Sequence, residues 1–493
     1  LIASETSESL RYRVRTLGCK ANLFDSQLIE AELQKRGWKP AEAGKETSAK
    51  ICIVNSCTVT DEADSQSRKL ASRLLRESPE ATIVFTGCAA EVAPELMAAS
   101  KGIHYVVANR DKAKLVELVL GQLAKSERPE KGELLGEAVG YEEMLSRHPL
   151  DREWPDWQSL TVQDAPLVQT ATTRAFLKIQ EGCNSFCTYC IIPYGRGPSR
   201  SLPPEEIVRL VNEQVAIGAE EVVITGTNIG DYGCEWEEPG KRTRDGLTKL
   251  FTHILDQTKL RRLRVSSLDP TEIESGLLKL MQEDERFCPH FHISLQNVND
   301  RILRLMKRRY GRAEVENCLK TLASLSTASG RKVFVGMDLI TGFPGETKEE
   351  FEEGLEWLAA LPWNRLHVFP YSERKGTPAT RLPSSVPQAE RVRRARLLQK
   401  LSFDRVISHY ETVLNEQSEP LEEILLERHG GRIIEGRRFQ AGYTPDYLRV
   451  LVTGELPQES DNRIIKAKVI GMNRDSASGE ASLLSEISTI SDR

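Results

Sequence analysis

The sequence predicts an α/β protein in three parts: an N-terminal parallel-sheet α/β domain, a central partial (β/α)6 barrel and a small C-terminal β-barrel. Three observations carry this expectation. Short apolar strands alternate with helical stretches over residues 12–120. Six further strand–helix units follow between residues 170 and 375. From residue 421 the helical pattern gives way to short β-rich stretches separated by Gly, Pro and Asp. Strand–helix alternation implies parallel sheets covered by helices. A chain of 493 residues also exceeds what one ordinary core organises.

In the first part, strands are expected at 12–17, 50–54, 82–86 and 104–108, with helices at 23–35, 62–76, 92–99 and 112–120. Residues 121–170 lose periodicity to charge, Pro and scattered Trp (Trp154, Trp157), and read as a linker or an ordered excursion. The barrel domain is placed at 171–405, with strands at 175–179, 221–225, 262–267, 290–296, 333–339 and 366–371. A basic helix over 380–415 leads out of it. The last domain, 412–485, has β-rich stretches at 421–426, 432–435, 447–453 and 464–470, and suggests a five-stranded barrel of the oligonucleotide-binding type.

Hydrophobic content of 39% and charged content of 28% are those of an ordinary soluble globular chain. No apolar run is long enough to cross a bilayer, and the first residues lack the order of a signal peptide. A cytoplasmic location is the expectation. The ten cysteines are spread through a large chain, which reads as ligands in a reducing compartment. A net charge of −5 argues against a wholesale basic binder of nucleic acid but leaves room for local basic surface. Two such stretches are Arg301, Arg304, Lys307, Arg308, Arg309, Arg312 and Arg391, Arg393, Arg394, Arg396, Lys400; a solvated helix face is the plainer reading of each.

Cys183, Cys187 and Cys190 form Cys-x3-Cys-x2-Cys just after the first barrel strand. Active sites of parallel barrels lie at that end of the strands. Three thiolates at this spacing can hold three irons of a cubane cluster and leave the fourth iron open. A structural zinc site wants four closed ligands, and no further His or Cys follows within a short loop. A second trio, Cys19, Cys57 and Cys88, falls one to three residues after three strands of the first domain. Equivalent strand ends converge in space, and ligands of open α/β sheets gather there. Cys52 lies inside a strand and reads as a core thiol; Cys234, Cys288 and Cys318 have no partners at ligand spacing.

The string from Lys178 to Asn184, the three cysteines and the string Ile192-Pro193-Tyr194-Gly195-Arg196-Gly197 resemble the cluster loop of the radical S-adenosylmethionine (SAM) enzymes, and among them the methylthiotransferases. The resemblance covers nearly the whole chain apart from 1–11, 121–170 and the last few residues. It implies that the barrel is a radical SAM barrel. It also implies that Cys183, Cys187 and Cys190 bind one [4Fe-4S] cluster whose open iron chelates SAM, and that Cys19, Cys57 and Cys88 bind an auxiliary [4Fe-4S] cluster carrying the sulfur. Tyr189 matches the aromatic usual before the last cysteine. Thr225, Gly226 and Asn228 after the second strand, Ser267 after the third, Gln296 after the fourth, and Asp338 and Gly342 around the fifth resemble SAM contacts. For each alone, a turn or cap role is as natural. The family continues Gln-Ser-Gly-Ser after the fourth strand, whereas this chain has Gln296-Asn297-Val298-Asn299 and so lacks a permissive Gly.

Gly18-Cys19-Lys20-Ala21-Asn22, Asn55-Ser56-Cys57-Thr58-Val59-Thr60 and Phe369-Pro370-Tyr371-Ser372 look most like the enzymes that methylthiolate N6-threonylcarbamoyladenosine in tRNA. Gly442-Tyr443-Thr444-Pro445-Asp446-Tyr447 resembles the signature of the TRAM RNA-binding domain. The resemblance implies two SAM per turnover, the tRNA anticodon stem-loop as partner and a reductant such as flavodoxin or ferredoxin. Two alternatives remain: the same chemistry on isopentenyladenosine tRNA or a ribosomal protein, and a cluster-bearing RNA-binding protein without turnover. An open iron disfavours the latter.

Overall fold

Strands of a parallel sheet covered on both faces need near-continuous apolar runs. Ile51–Ser56 and Thr82–Gly87 are such runs, with every residue buried. In the computed structural model, which describes residues 10–42, 49–124, 128–155, 173–237, 245–416, 421–428, 431–454, 463–475 and 480–490, they form the centre of a parallel sheet. Its order is Lys39–Pro40, Arg11–Thr16, Ile51–Ser56, Thr82–Gly87, Tyr105–Val107, Glu133–Leu135. The last strand comes from the stretch read as a linker or excursion. Described residues of that stretch strap the first domain to the barrel. Tyr141 donates its hydroxyl proton to the carbonyl of Lys375 at 2.7 Å. Arg152 pairs with Glu91 at 2.9 Å. Trp154 packs so closely over Gly197 that a Cβ there would lie 2.4 Å from its ring. Trp157 lies outside the described residues.

The barrel strands are Ala175–Glu181, Glu221–Gly226, Arg262–Val265, His290–Gln296, Phe334–Thr341 and Arg365–Pro370. The third runs on into Ser267–Leu268, which pairs with the fourth, so one arc of parallel strands is made from two sheets. Among the described residues no pairing joins the sixth strand back to the first. Arg365 and His367 on that edge strand are exposed although they line the interior. The barrel therefore has a lateral opening.

The helix Gln388–Glu416 crosses beneath the edge strand, with Ser402 accepting from the backbone N–H of Leu366 at 2.8 Å, and delivers the chain to the last domain. There Leu421–Leu426 pairs with both Ile464–Asp475 and Arg437–Tyr443, and Glu480–Ile490 bridges Ile464–Asp475 to Arg449–Thr453. Arg449–Thr453 pairs in turn with Arg437–Tyr443, so five strands close a ring. The stretch at 432–435 is one of the β-rich stretches of the sequence. Arg432–Ile434 forms a hairpin on Arg437–Tyr443, and the ring closes through 437–443 and 480–490, which the alternation signal had not singled out.

Two buried arginines dock this ring on the barrel. Arg262 donates to the carbonyls of Tyr443 at 3.1 Å and Glu423 at 2.8 Å, and Arg264 to that of Pro445 at 2.9 Å. Both are held by Glu221, which takes two hydrogen bonds from Arg264 at 2.7 and 3.1 Å. Burial alone would raise the Glu221 pKa; Arg264, Arg174 and Arg262 instead bring it down to about 2 from 4.5. A carboxylate held low in this way stabilises the fold at pH values above its unfolded pKa, and that contribution is lost as pH falls through the folded value. The shift corresponds to about 3 kcal/mol. The stability gap between the protein and Glu221→Gln should thus narrow by about 3 kcal/mol from about pH 5 to about pH 2, followed by denaturant unfolding; a gap that stays constant would contradict this role.

Candidate functional site

The cysteine loop begins where the first barrel strand ends. Gly182 turns the chain at φ +78°, against the Pro198 carbonyl, where a Cβ would sit 1.8 Å from the oxygen. The Cys183 N–H donates to the Gly197 carbonyl at 3.0 Å, and the Cys190 N–H to the Cys187 carbonyl at 3.0 Å. Gln180 braces the floor of the loop: its amide donates to Ser199 at 2.8 Å, and its carbonyl oxygen accepts the N–H groups of Thr227 and Asn228. Burial, then mutual repulsion, raises the Cys190 thiol; burial raises Cys183 to about 11. Arg308 sets a cation against this trio, with Nη1 3.0 Å from the Cys187 sulfur.

Cys19, Cys57 and Cys88 each follow the carboxyl end of a parallel strand and influence one another electrostatically. Two glycines allow the approach. A Cβ on Gly18 would lie 2.7 Å from the Cys57 sulfur, and one on Gly87 2.4 Å from the Ser56 carbonyl oxygen. Burial pushes Cys57 up to about 12, and Cys88 upward too, with Arg196 opposing. Gly195, beyond the barrel loop, packs on Cys88 at 3.6 Å from its Cβ position. The two trios thus meet across the chain segment that follows Cys190.

A buried charge cluster fills this junction. Arg196 binds Glu181 and Asn22 and reaches Asp25 at 3.1 Å. Lys178 binds Asp25 and Glu181, and Lys112 reaches Asp25 at 2.7 Å. All five charged side chains are at most 8% exposed. Burial would raise Asp25, but Lys112, Lys178 and Arg196 hold it well below the usual carboxylate range. Three cations against two carboxylates leave positive charge beside Cys88. Asn22 completes the frame by donating to the carbonyls of Leu17 and Ser56, both at 2.8 Å.

A cavity of about 580 Å³ occupies the barrel lumen. Cys183, Cys187 and Cys190 line its upper end, and Gly18 and Cys19 bring the second trio to the same space; Cys57 and Cys88 stand behind. Tyr189, Thr225, Gly226, Asn228, Ser267, Gln296 and Asp338 also line it. Gly342 does not. It turns at φ +68° against Arg391, and its N–H donates to Glu346 at 2.7 Å. The missing Gly after the fourth strand costs no turn, because the left-handed position is Gln296 itself, at φ +63°, while Val298 packs on Gly354 in the core.

Several cavity residues carried no role in the sequence. Tyr447 of the last domain lines the lumen and packs tilted against His290, ring centres 4.6 Å apart, with Arg264 4.9 Å from its ring centre. Its string was legible only as an RNA-binding signature. Arg308, expected on a basic surface, is 7% exposed and bound to Asp269 and Cys187. Arg391 and Arg394 are likewise buried brackets, on Glu373 and Glu346.

Both trios suit an iron–sulfur cluster. Each offers three convergent thiols and, among the described residues, no fourth. Each has an arginine at a sulfur to offset thiolate charge: Arg308 at Cys187 and Arg196 at Cys88. Residues 177–358 match the model of the radical SAM superfamily, and residues 11–108 match the one described as uncharacterized protein family UPF0004. The chain is 34% identical over 402 residues to a threonylcarbamoyladenosine tRNA methylthiotransferase MtaB of Aquifex aeolicus, covering 82% of this chain and 90% of that one. It is 31% identical over 461 residues to the Bacillus subtilis protein of the same name, covering 92% of each. A solved radical SAM methyltransferase, TsrM of Kitasatospora setae, with cobalamin and a [4Fe-4S] cluster bound, shares the fold with a TM-score of 0.51, 14% identity, and 73% and 72% coverage of the two chains. A radical SAM barrel joined to a cysteine-bearing sheet domain, and full-length relatives of this identity, place the chain in the radical SAM tRNA methylthiotransferase family, whose cofactors are SAM and [4Fe-4S] clusters.

Proposed function

We propose that the protein methylthiolates carbon 2 of adenine in N6-threonylcarbamoyladenosine, next to the anticodon of tRNA, with two SAM per turnover and two [4Fe-4S] clusters. The observation that carries this reading is one lumen lined by the whole barrel trio, Cys183, Cys187 and Cys190, and by Cys19 of the second trio, from the other domain. One trio suffices to cleave SAM; a second that reaches the same space through Cys19 is what a sulfur carrier requires. Cys183, Cys187 and Cys190 hold the SAM-cleaving cluster in this reading, and Cys19, Cys57 and Cys88 the auxiliary one. When bound, the clusters and SAM supply the sulfur, the methyl group and a reductive cleavage that yields 5′-deoxyadenosine.

The chain's own groups position and insulate this chemistry. Tyr189, packed edge-on against Phe343 at 6.4 Å, walls the SAM side of the lumen. Thr225, Gly226, Asn228, Ser267, Gln296 and Asp338 offer SAM polar contacts, and Gly342 shapes the turn behind them. Arg308 and Arg196 keep positive charge at the two thiolate sets. The closed five-stranded barrel serves as a TRAM-like module for the anticodon stem-loop, where Arg437 and Arg438 are exposed and can meet phosphates. A flavodoxin- or ferredoxin-type reductant and a cytoplasmic setting complete the proposal; no described helix is long and apolar enough to cross a membrane.

After anaerobic reconstitution the chain should hold about eight irons, four for each cubane. Replacing Cys183, Cys187 and Cys190 by Ala should leave about half of them and abolish 5′-deoxyadenosine formation. Replacing Cys19, Cys57 and Cys88 should also halve the iron, spare SAM cleavage and stop methylthiolation. Full iron content in the first variant would refute the ligand assignment.

Incubation with tRNA bearing threonylcarbamoyladenosine, and separately with tRNA bearing isopentenyladenosine, should give a methylthiolated nucleoside by mass spectrometry from the first alone. Product from the second alone would move the substrate to the isopentenyl class and keep the chemistry.

A further inference from the structure

Five cationic side chains and two carboxylates line the lumen, an excess of positive charge that favours an anionic ligand. Three of the cations are answered. Arg308 binds Asp269, Arg264 binds Glu221, and Arg174 binds Glu427 at 3.0 Å. The other two are Lys20, the first residue of the helix Lys20–Lys35, and Arg365, the first residue of the edge strand. Among the described residues no carboxylate pairs with either. Asp338, the carboxylate that Lys20 feels, is already bound to His292 Nε2 at 2.9 Å.

These two cations act on one place. His367 feels Arg365, Asp338 and Lys20 together, and burial, then His292 and Arg365, bring its pKa down to about 4. A neutral imidazole there still offers an N–H. His292, Asp338 and His367 do place three ligand atoms within 4.8 Å of one another, the spacing of a metal site. A divalent ion would add positive charge beside Lys20 and Arg365 and worsen the imbalance. An anion would relieve it.

We propose that Lys20 and Arg365, with the His367 imidazole, bind the carboxylate of the substrate's threonylcarbamoyl group. The inference rests on the threonylcarbamoyl reading and names the residues that read it. Position favours the substrate's carboxylate over SAM's. Arg365 begins its strand, opposite Gly336, whereas the barrel cysteines follow the carboxyl end of theirs. Lys20 has Tyr447, Arg174, Arg264 and Asp338 as its charged neighbours, not the barrel cysteines. An adenine that presents carbon 2 to the upper end has room below for a long N6 substituent. Arg365 and His367 stand at the lateral opening, so that substituent can enter with the flipped base. The apolar isopentenyl group would leave both cations unanswered.

The test uses the full chain with both clusters reconstituted, and anticodon stem-loops carrying either threonylcarbamoyladenosine or its methyl ester, which removes only the charge. The protein should prefer the acid over the ester in kcat/KM by on the order of 100-fold, the worth of two charge-assisted hydrogen bonds. Arg365→Met and Lys20→Met should each cut that preference about tenfold, by losing activity on the acid rather than on the ester, and Arg365→Lys should keep most of it. Arg365 is exposed on an edge strand, so its replacement leaves the core intact. An unchanged acid-to-ester ratio in both Met variants overturns the inference. A fall in SAM cleavage without RNA, at an unchanged ratio, also overturns it by assigning the cations to SAM's carboxylate. Failure of the wild-type chain on both stem-loops, with activity on isopentenyladenosine, would refute the substrate reading instead.

Discussion

The arrangement depends on one buried charge cluster. Asp25 comes from the first domain's leading helix, Lys178 and Glu181 from the first barrel strand, Arg196 from the turn after the cysteine loop and Lys112 from the 3-10 turn that follows the strand Tyr105–Val107. Removing a partner from such a cluster leaves an uncompensated buried charge, at a cost of about 3–5 kcal/mol. The two domains are therefore fixed in one mutual position. That position sets Cys88 against Gly195 and turns Cys19 toward the barrel lumen. Arg196, which joins Glu181 and Asp25 in the cluster, is also the cation hydrogen-bonded to the Cys88 sulfur. Docking and electrostatic preparation of the second trio are thus one interaction.

The other contacts between parts follow the same pattern of buried ions closing a lumen that no single domain encloses. Arg374, beyond the last barrel strand, pairs with Asp61 at 2.6 Å and Asp64 at 2.7 Å, in the helix that follows Cys57. Glu221 and its arginines hold the five-stranded ring under the barrel, where Tyr447 closes the floor beneath His290. Tyr447 itself sits at φ +70°, a conformation costly for an aromatic residue and kept only where surrounding contacts demand it. A module expected only to bind RNA is thereby also part of the wall of the lumen.

What could be read from the sequence was what periodicity and spacing encode. Cys183, Cys187 and Cys190 lie in one short loop, and Cys19, Cys57 and Cys88 each stand just past an apolar strand, so their convergence follows from parallel topology. Arg308, Arg391 and Arg394 could not be placed, because a helix-face arginine and one that folds inward onto Asp269 or Glu346 share the same local pattern. The five-stranded ring was read as β-rich, but its register was not, since closure through Arg437–Tyr443 and Glu480–Ile490 depends on pairings remote in sequence. Lys20, His292, Arg365 and His367 were silent for a related reason. Each is an ordinary residue on a strand or helix end, and only the lumen gives the four a common address.

The central claim is that the buried cluster prepares the second cysteine trio through Arg196. Iron content of the reconstituted Arg196→Met chain tests it most directly. The account predicts that about half of the iron is lost while reductive cleavage of SAM persists, since Cys183, Cys187 and Cys190 keep their own cation in Arg308. Full iron content in that variant, with the second cluster stably bound, would contradict it.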